Sequence, residues 1–258
     1  MTAHDGLPLL YAVLVWFVST GVIIWLDGLP KRTFRWSFAA ASVVAVAAVI
    51  GVARSAADAS AMGAYLGFTC ALAVWGWHEM SFLMGIITGP RKAPCPPHAT
   101  GWTRFKLAAA TLIYHEIALA LTAVALVALS WGQPNQTAAA TFAILFVMRL
   151  STKLNIFIGV PNLTVDFLPD HLGYLKSYFR TKQFNWLFPV SIAVSTVMAM
   201  LLGEAALGLI STDGNAVGLT LLFALVALAV LEHWFLVLPL PDAALWRWAM
   251  TTKAGQAK

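Results

Sequence analysis

The sequence predicts an all-α, polytopic integral membrane bundle of seven transmembrane helices, with the N-terminus periplasmic and the C-terminus cytoplasmic. Three observations predict it. The chain of 258 residues is 60% hydrophobic and only 10% charged, with a mean hydropathy of +0.79, too apolar for a soluble domain of that length. Seven apolar stretches approach the ~20 residues that cross a bilayer. Basic residues gather on alternate connections, as they do when positive charge stays cytoplasmic.

The first stretch, 7–26, runs straight into the basic sequence LPKR. It has no basic n-region and no small-residue cleavage site, so it reads as a span and not as a signal peptide. The remaining stretches are 36–53, 62–87, 105–131, 137–158, 186–202 and 217–238. Trp16, Trp25, Trp36, Trp102, Trp131, Trp186 and Trp234 fall near their ends more often than not, as indoles that settle at the membrane interface do. Lys31, Arg32 and Arg35 follow the first stretch. Arg91, Lys92, Arg104 and Lys106 lie at the third connection, and Lys176, Arg180 and Lys182 at the fifth. The tail carries Arg247, Lys253 and Lys258. Only Arg54, Arg149 and Lys153 depart from the pattern. The net charge of +5 therefore reports topology and contact with the anionic bilayer surface, and a nucleic-acid partner is not expected.

Two inner connections are long enough to hold structure. GPRKAPCPPHATG contains four prolines and cannot form a regular helix. Its Cys95-Pro-Pro-His98 offers a thiol and an imidazole to a metal or a haem, although a stiff loop needs no ligand. Cys70 falls inside a span, so no disulfide framework is expected. In the fifth connection Asp170 reads as the N-cap of a short amphipathic helix over about 171–180. Leu172, Leu175, Tyr178 and Phe179 form its apolar side, and its lysines and arginine suit an anionic leaflet. The chain shows no internal repeat, P-loop, GxGxxG or nucleophile motif.

The chemistry concentrates in three dipeptides, His78-Glu79, His115-Glu116 and Glu232-His233. They hold three of the four glutamates and three of the six histidines. An ionisable side chain inside a bilayer is costly unless paired, ligated or hydrated. At 1.5 Å per residue, Glu79, Glu116 and Glu232 lie roughly 12, 16 and 9 Å from the inner ends of their spans. Arg149 and Lys153 reach the same layer, roughly 14 and 8 Å from theirs, and share one helix face. Asn155 lies just below. One polar layer fed by four helices is expected, with the loop from Asp166 through Asp170 to His171 closing it from the cytoplasmic side. Neighbouring residues on a helix point about 100° apart, so a His on one helix meets a Glu on another.

Three readings of the layer stay open. It is a buried ion-pair network serving helix packing. Or the His and Glu side chains hold iron, manganese or zinc, as helical bundles do in di-metal sites, although no Glu-x-x-His is present. Or a histidine is the axial ligand of a tetrapyrrole walled by Trp75, Trp77, Phe82, Trp234 and Phe235.

HEMSFLMGIITGPR after the third stretch, RLSTKLNIFIGVPN through the fifth, and LPDHLGYLKSYF in the following loop carry a resemblance over most of the chain. On these segments the chain resembles the PuhE family, photosynthetic complex assembly proteins of anoxygenic phototrophic bacteria. The resemblance implies a multi-pass protein of the bacterial inner membrane, cytoplasmic or intracytoplasmic. It would act in assembly of the photosynthetic apparatus or in bacteriochlorophyll supply. The partners implied are photosynthetic complex subunits, or bacteriochlorophyll and its precursors. No catalytic residue comes with it. The alternative is an integral-membrane metalloenzyme, a di-metal or haem-type oxidoreductase acting on a pigment precursor or quinone.

Overall fold

A computed structural model describes residues 3–163, 168–208, 214–239 and 242–250. Asp166, Asp213, Lys253 and Lys258 lie outside the described residues. The described chain is all-helical apart from one isolated bridge between Val160 and Thr181. The α-helices are α1 (Ala3–Asp27), α2 (Phe34–Ala56), α3 (Ala61–Leu83), α4 (Gly101–Ala109), α5 (Ile113–Ser130), α6 (Thr137–Ile158), α7 (Leu187–Leu207), α8 (Gly214–Phe235) and α9 (Arg247–Met250). Short 3₁₀ segments cover Lys31–Thr33, Asp170–Tyr178 and Asp242–Trp246. Among the described residues six helices are long and apolar enough to cross a membrane: α1, α2, α5, α6, α7 and α8.

The bundle is built around α3, which packs against α1, α2, α6 and α8. Lipid tails are as apolar as leucine, so helices in a bilayer are held by close packing and polar contacts. Small residues on the helix faces permit this approach. A Cβ on Gly51 of α2 would lie 2.5 Å from Cys70 Sγ of α3, and one on Gly218 of α8 would lie 2.6 Å from Thr137 Oγ1 of α6. Two cores result. One joins α2, α3, α5 and α6 through Val52, Trp75, Leu119 and Phe142. The other joins α1, α3 and α8 through Ala12, Phe68, Leu221 and Leu225. The outer faces of α2, α5 and α7 stay apolar and exposed, with Val43, Val124 and Val194 more than half accessible. Such faces suit lipid contact.

The expected apolar stretches coincide with α1, α2, α6, α7 and α8 to within about five residues, and the helix bounds differ for the other two. The third stretch ends at Leu83, not at 87. Gly85, at φ +75°, closes α3 with paired reverse bonds. Ile86 N–H donates to Ser81 O at 2.9 Å and Gly85 N–H to Phe82 O at 2.9 Å, a Schellman stop that needs a left-handed residue.

The fourth stretch, 105–131, is two helices. The chain breaks at Ala110–Leu112 because the loop after α3 docks there. A Cβ on Gly89 would meet Ala110 O at 2.3 Å and Leu112 N at 2.6 Å, so backbone touches backbone at this point. Arg91 N–H donates to Ala110 O at 3.0 Å, and His115 N–H, in the first turn of α5, donates to Thr88 O at 3.0 Å. The loop thus takes up polar groups that the break exposes.

The expected amphipathic helix over 171–180 is a 3₁₀ segment from Asp170 to Tyr178, with Pro169 and not Asp170 at its N-cap. Leu172, Leu175 and Tyr178 recur every third residue, which is the 3₁₀ repeat. All three are buried. The apolar side of the segment packs against the chain, and Lys176, Arg180 and Lys182 stay exposed. Arg91 Nε donates to Tyr178 Oη at 2.7 Å, and Tyr178 Oη to Ala93 O at 3.1 Å. Buried Arg104 donates to Phe157 O at 3.1 Å and to Tyr178 O. Cys95 N–H donates to Ser177 Oγ at 2.8 Å.

Candidate functional site

A cavity of about 450 Å³ opens between α1, α3, α6 and α8. Its floor is made by the α4–α5 break, by residues of 168–179 and by the C-terminal segment, through Leu112, Leu175, Phe179, Trp246 and Met250. Its walls are mostly apolar, with Trp16, Ile23, Leu72, Trp75 and Leu225 prominent. Trp16 therefore turns inward onto Trp246, with ring centroids 5.5 Å apart, and does not mark the membrane interface. Into this lining project Asp27, Glu79, Arg149, Lys153 and Glu232.

The charges come from the layer that the sequence marks. On α6, Leu145, Arg149, Thr152, Lys153 and Ile156 form one stripe along the cavity, as their helical spacing requires. Arg149 Nη2 lies 3.4 Å from Glu79 Oε2 of α3. Lys153 Nζ lies 2.6 Å from Glu116 Oε1 of α5. Glu79 Oε1 is 3.9 Å from His115 Nε2, outside hydrogen-bond range. The rings of His78 and His115 are 6.4 Å apart, and Phe82 lies 4.8 Å from His115. His115 is fully buried, and neither of its ring nitrogens has a hydrogen-bond partner.

Each dipeptide is split by the 100° step of the helix. Glu79 and Glu232 line the cavity, and Glu116 reaches it through Lys153. The histidines turn into helix packing. His78 Nε2 pairs with Thr122 Oγ1 of α5 at 2.9 Å. His233 is buried between α6 and α8, its Nδ1 donating to Ala229 O at 2.8 Å and its Nε2 3.0 Å from Ser151 Oγ. Ser151 Oγ is also 2.9 Å from Ser191 Oγ of α7, to which Asn155 Nδ2 donates at 3.0 Å. His233 and Asn155 thus belong to a polar joint between α6, α7 and α8. His171 Nε2 donates to Leu83 O at 2.8 Å, and its ring packs over Gly85. The structure gathers His78, Glu79, His115 and Arg149 in one group, places Glu116 with Lys153 beside it, and sends His233 elsewhere. Among the described residues no three His, Cys, Asp or Glu side chains converge as metal ligands would. His98 is exposed, and Cys95 Sγ is directed at Pro96 O, 3.7 Å away.

A family described as "Protein of unknown function (DUF3623)" matches residues 2–257. The chain belongs to this family. An "Uncharacterized 30.4 kDa protein in puhA 5'region" of Rhodobacter capsulatus is 42% identical over 251 residues, covering 96% of this chain and 91% of the relative. No solved structure matches.

Two features of the site escape sequence reasoning. Asp27, at the end of α1, is buried against the cavity. Its signal was a lone acid closing an apolar run just before a basic cluster. Thr122, Ser151 and Ser191, which receive the histidines and Asn155, carry no signal, because hydroxyls inside apolar helices commonly bond their own backbone.

Proposed function

We propose that this protein is a factor of the bacterial inner membrane that supports assembly of the photosynthetic reaction-centre and light-harvesting complex, or the supply of bacteriochlorophyll to it. The observation that carries this reading is the 42% identical relative named for the puhA 5' region, puhA being a photosynthesis gene. The resemblance to the PuhE family points the same way. The working part is the charged cavity: ionisable side chains kept among apolar walls at depth in a bundle are functional groups by default. In the bilayer α3 is the seventh span, the N-terminus is periplasmic and the C-terminus cytoplasmic. A span of 23 residues reaches roughly 35 Å, enough for the hydrocarbon core. The di-metal form of the metalloenzyme alternative requires three or more converging ligands, and among the described residues no such group is found.

The test is a deletion strain complemented with wild type, Glu79→Gln or Arg149→Gln, read by near-infrared absorption and by immunoblot of this protein. The expected result is loss of complex or pigment in the deletion strain. The variants should accumulate as protein yet restore less than half of the absorption. Unchanged complexes and pigment in the deletion strain would remove the assignment to photosynthesis. Fully functional cavity variants would remove the role of the charged layer.

A further inference from the structure

We infer that the cavity binds an amphiphile with a long apolar body and a neutral, carbonyl-type oxygen acceptor, and that Arg149 is the group that grips that acceptor. The inference rests on the reading of the cavity as the working part of the protein. Its volume, about 450 Å³, falls in the ordinary range for small-molecule sites. Its walls, with Trp16, Leu72, Trp75, Phe82 and Leu225, offer contact area to hydrocarbon or a conjugated ring.

The polar end is set by how differently the two cations are used. Lys153 is closed by Glu116 at 2.6 Å, and its side chain is 21% exposed. Arg149 has a single, long hydrogen bond of 3.4 Å to Glu79, and its side chain is 46% exposed along the cavity wall. A guanidinium carries five N–H donors in a fixed fork. Most of Arg149's donors are therefore left without a hydrogen bond beside a cavity whose walls are mostly apolar. An oxygen acceptor seated there completes them. Glu79 and Glu232 line the same cavity and repel dense negative charge, so a phosphate is disfavoured and a carbonyl is not.

The probe is cis-parinaric acid methyl ester, a fluorescent polyene with one ester carbonyl, titrated into the full-length protein in zwitterionic nanodiscs. Empty discs supply the partition background, and energy transfer from tryptophan reports the site. Saturable binding is expected for wild type. Arg149→Gln should weaken it at least tenfold, and Arg35→Gln, on an exposed residue outside the cavity, should leave it unchanged. Ala229→Phe, which fills the cavity, should abolish it. Diphenylhexatriene, which has no oxygen, should bind more weakly and ignore Arg149→Gln. Absence of saturable binding, equal affinity in Arg149→Gln, or free parinaric acid binding tenfold tighter than its ester would overturn the inference. Should Arg149→Gln fail to accumulate, Ala229→Phe and the diphenylhexatriene comparison still decide it. No binding together with a deletion strain that loses its photosynthetic complexes removes this inference alone. Binding together with an unaffected deletion strain removes the proposed function alone.

Discussion

Glu116 and Lys153 form a close pair at 2.6 Å, whereas Glu79 and Arg149 are separated by 3.4 Å beside an open cavity. The two pairs should differ in what they contribute. Removing one partner of the tighter, more enclosed pair leaves a charge with less access to solvent, while Arg149, 46% exposed, is more easily hydrated. Glu116→Gln is expected to cost about 2–3 kcal/mol and Glu79→Gln about 1 kcal/mol. Reversible unfolding in mixed micelles checks the order, and the reverse order would contradict the difference in enclosure. His233 supplies a second test at this scale. Its loss breaks the bond to Ser151 and opens a buried gap, so His233→Ala should cost about 2–4 kcal/mol. The same titration reads this variant, and a change below about 0.5 kcal/mol would show that the α6–α8 joint does not depend on the ring. Depth calculated from helix rise located the polar layer, and the 100° step foretold that each dipeptide would divide. Which way each half would turn was not legible, because it depends on hydroxyls of other helices.

Among the elements, the runs at α1, α2, α6, α7 and α8 could be read from the chain because nothing in them conflicts with a continuous apolar helix. The break at Ala110–Leu112 could not. Its residues, Ala-Thr-Leu, include no glycine or proline, and the interruption is imposed by the loop that docks there from α3. The stop of α3 did have a mark in Gly85, but the apolar Ile86 and Ile87 beyond it extend the span when hydropathy alone decides. The 3₁₀ segment was ambiguous by nature: Leu172, Leu175 and Tyr178 suit a period of 3.0 and also one of 3.6 over so few turns. These elements yield a graded prediction. Gly85→Ala forces a side chain into left-handed backbone and should cost about 1–2 kcal/mol. Gly89→Ala drives a Cβ to 2.3 Å from Ala110 O. It should cost more, about 3 kcal/mol, since neither backbone can move freely. Thermal melting of the detergent-solubilised variants checks the order, and equal melting of Gly89→Ala and wild type would mean that the loop does not occupy the break.

For the molecule as a whole, topology is the decisive test. Native Cys95 lies on the proposed cytoplasmic face and is partly exposed, whereas Gln133, exposed in the α5–α6 turn, lies on the periplasmic one. A membrane-impermeant maleimide applied to spheroplasts should label Gln133→Cys at least fivefold more than the wild-type chain. Labelling of Cys95 in intact spheroplasts would invert the orientation. The charge asymmetry of the loops is what predicts this arrangement. That the fifth connection borders the cavity was expected from its place next to the polar layer, whereas the part taken by Trp246 and Met250 was not readable, since the C-terminal segment is not apolar enough to announce a buried place.

The docking of 88–91 into the α4–α5 break also has a consequence for synthesis. The loop leaves the ribosome before the residues it caps. Between Arg91 and His115 the chain must grow by two dozen residues, about one to five seconds at ordinary elongation rates. During that interval the carbonyl of Thr88 and the amide of Arg91 have no protein partner at the membrane surface. The hairpin from α3 to α5 is then a unit of insertion, whose last helix is fixed only when its predecessor's loop turns back to meet it. A pause or a rare-codon run placed between residues 92 and 112 would lengthen the exposed state, and a nascent chain arrested there should be open to proteases that the finished protein resists.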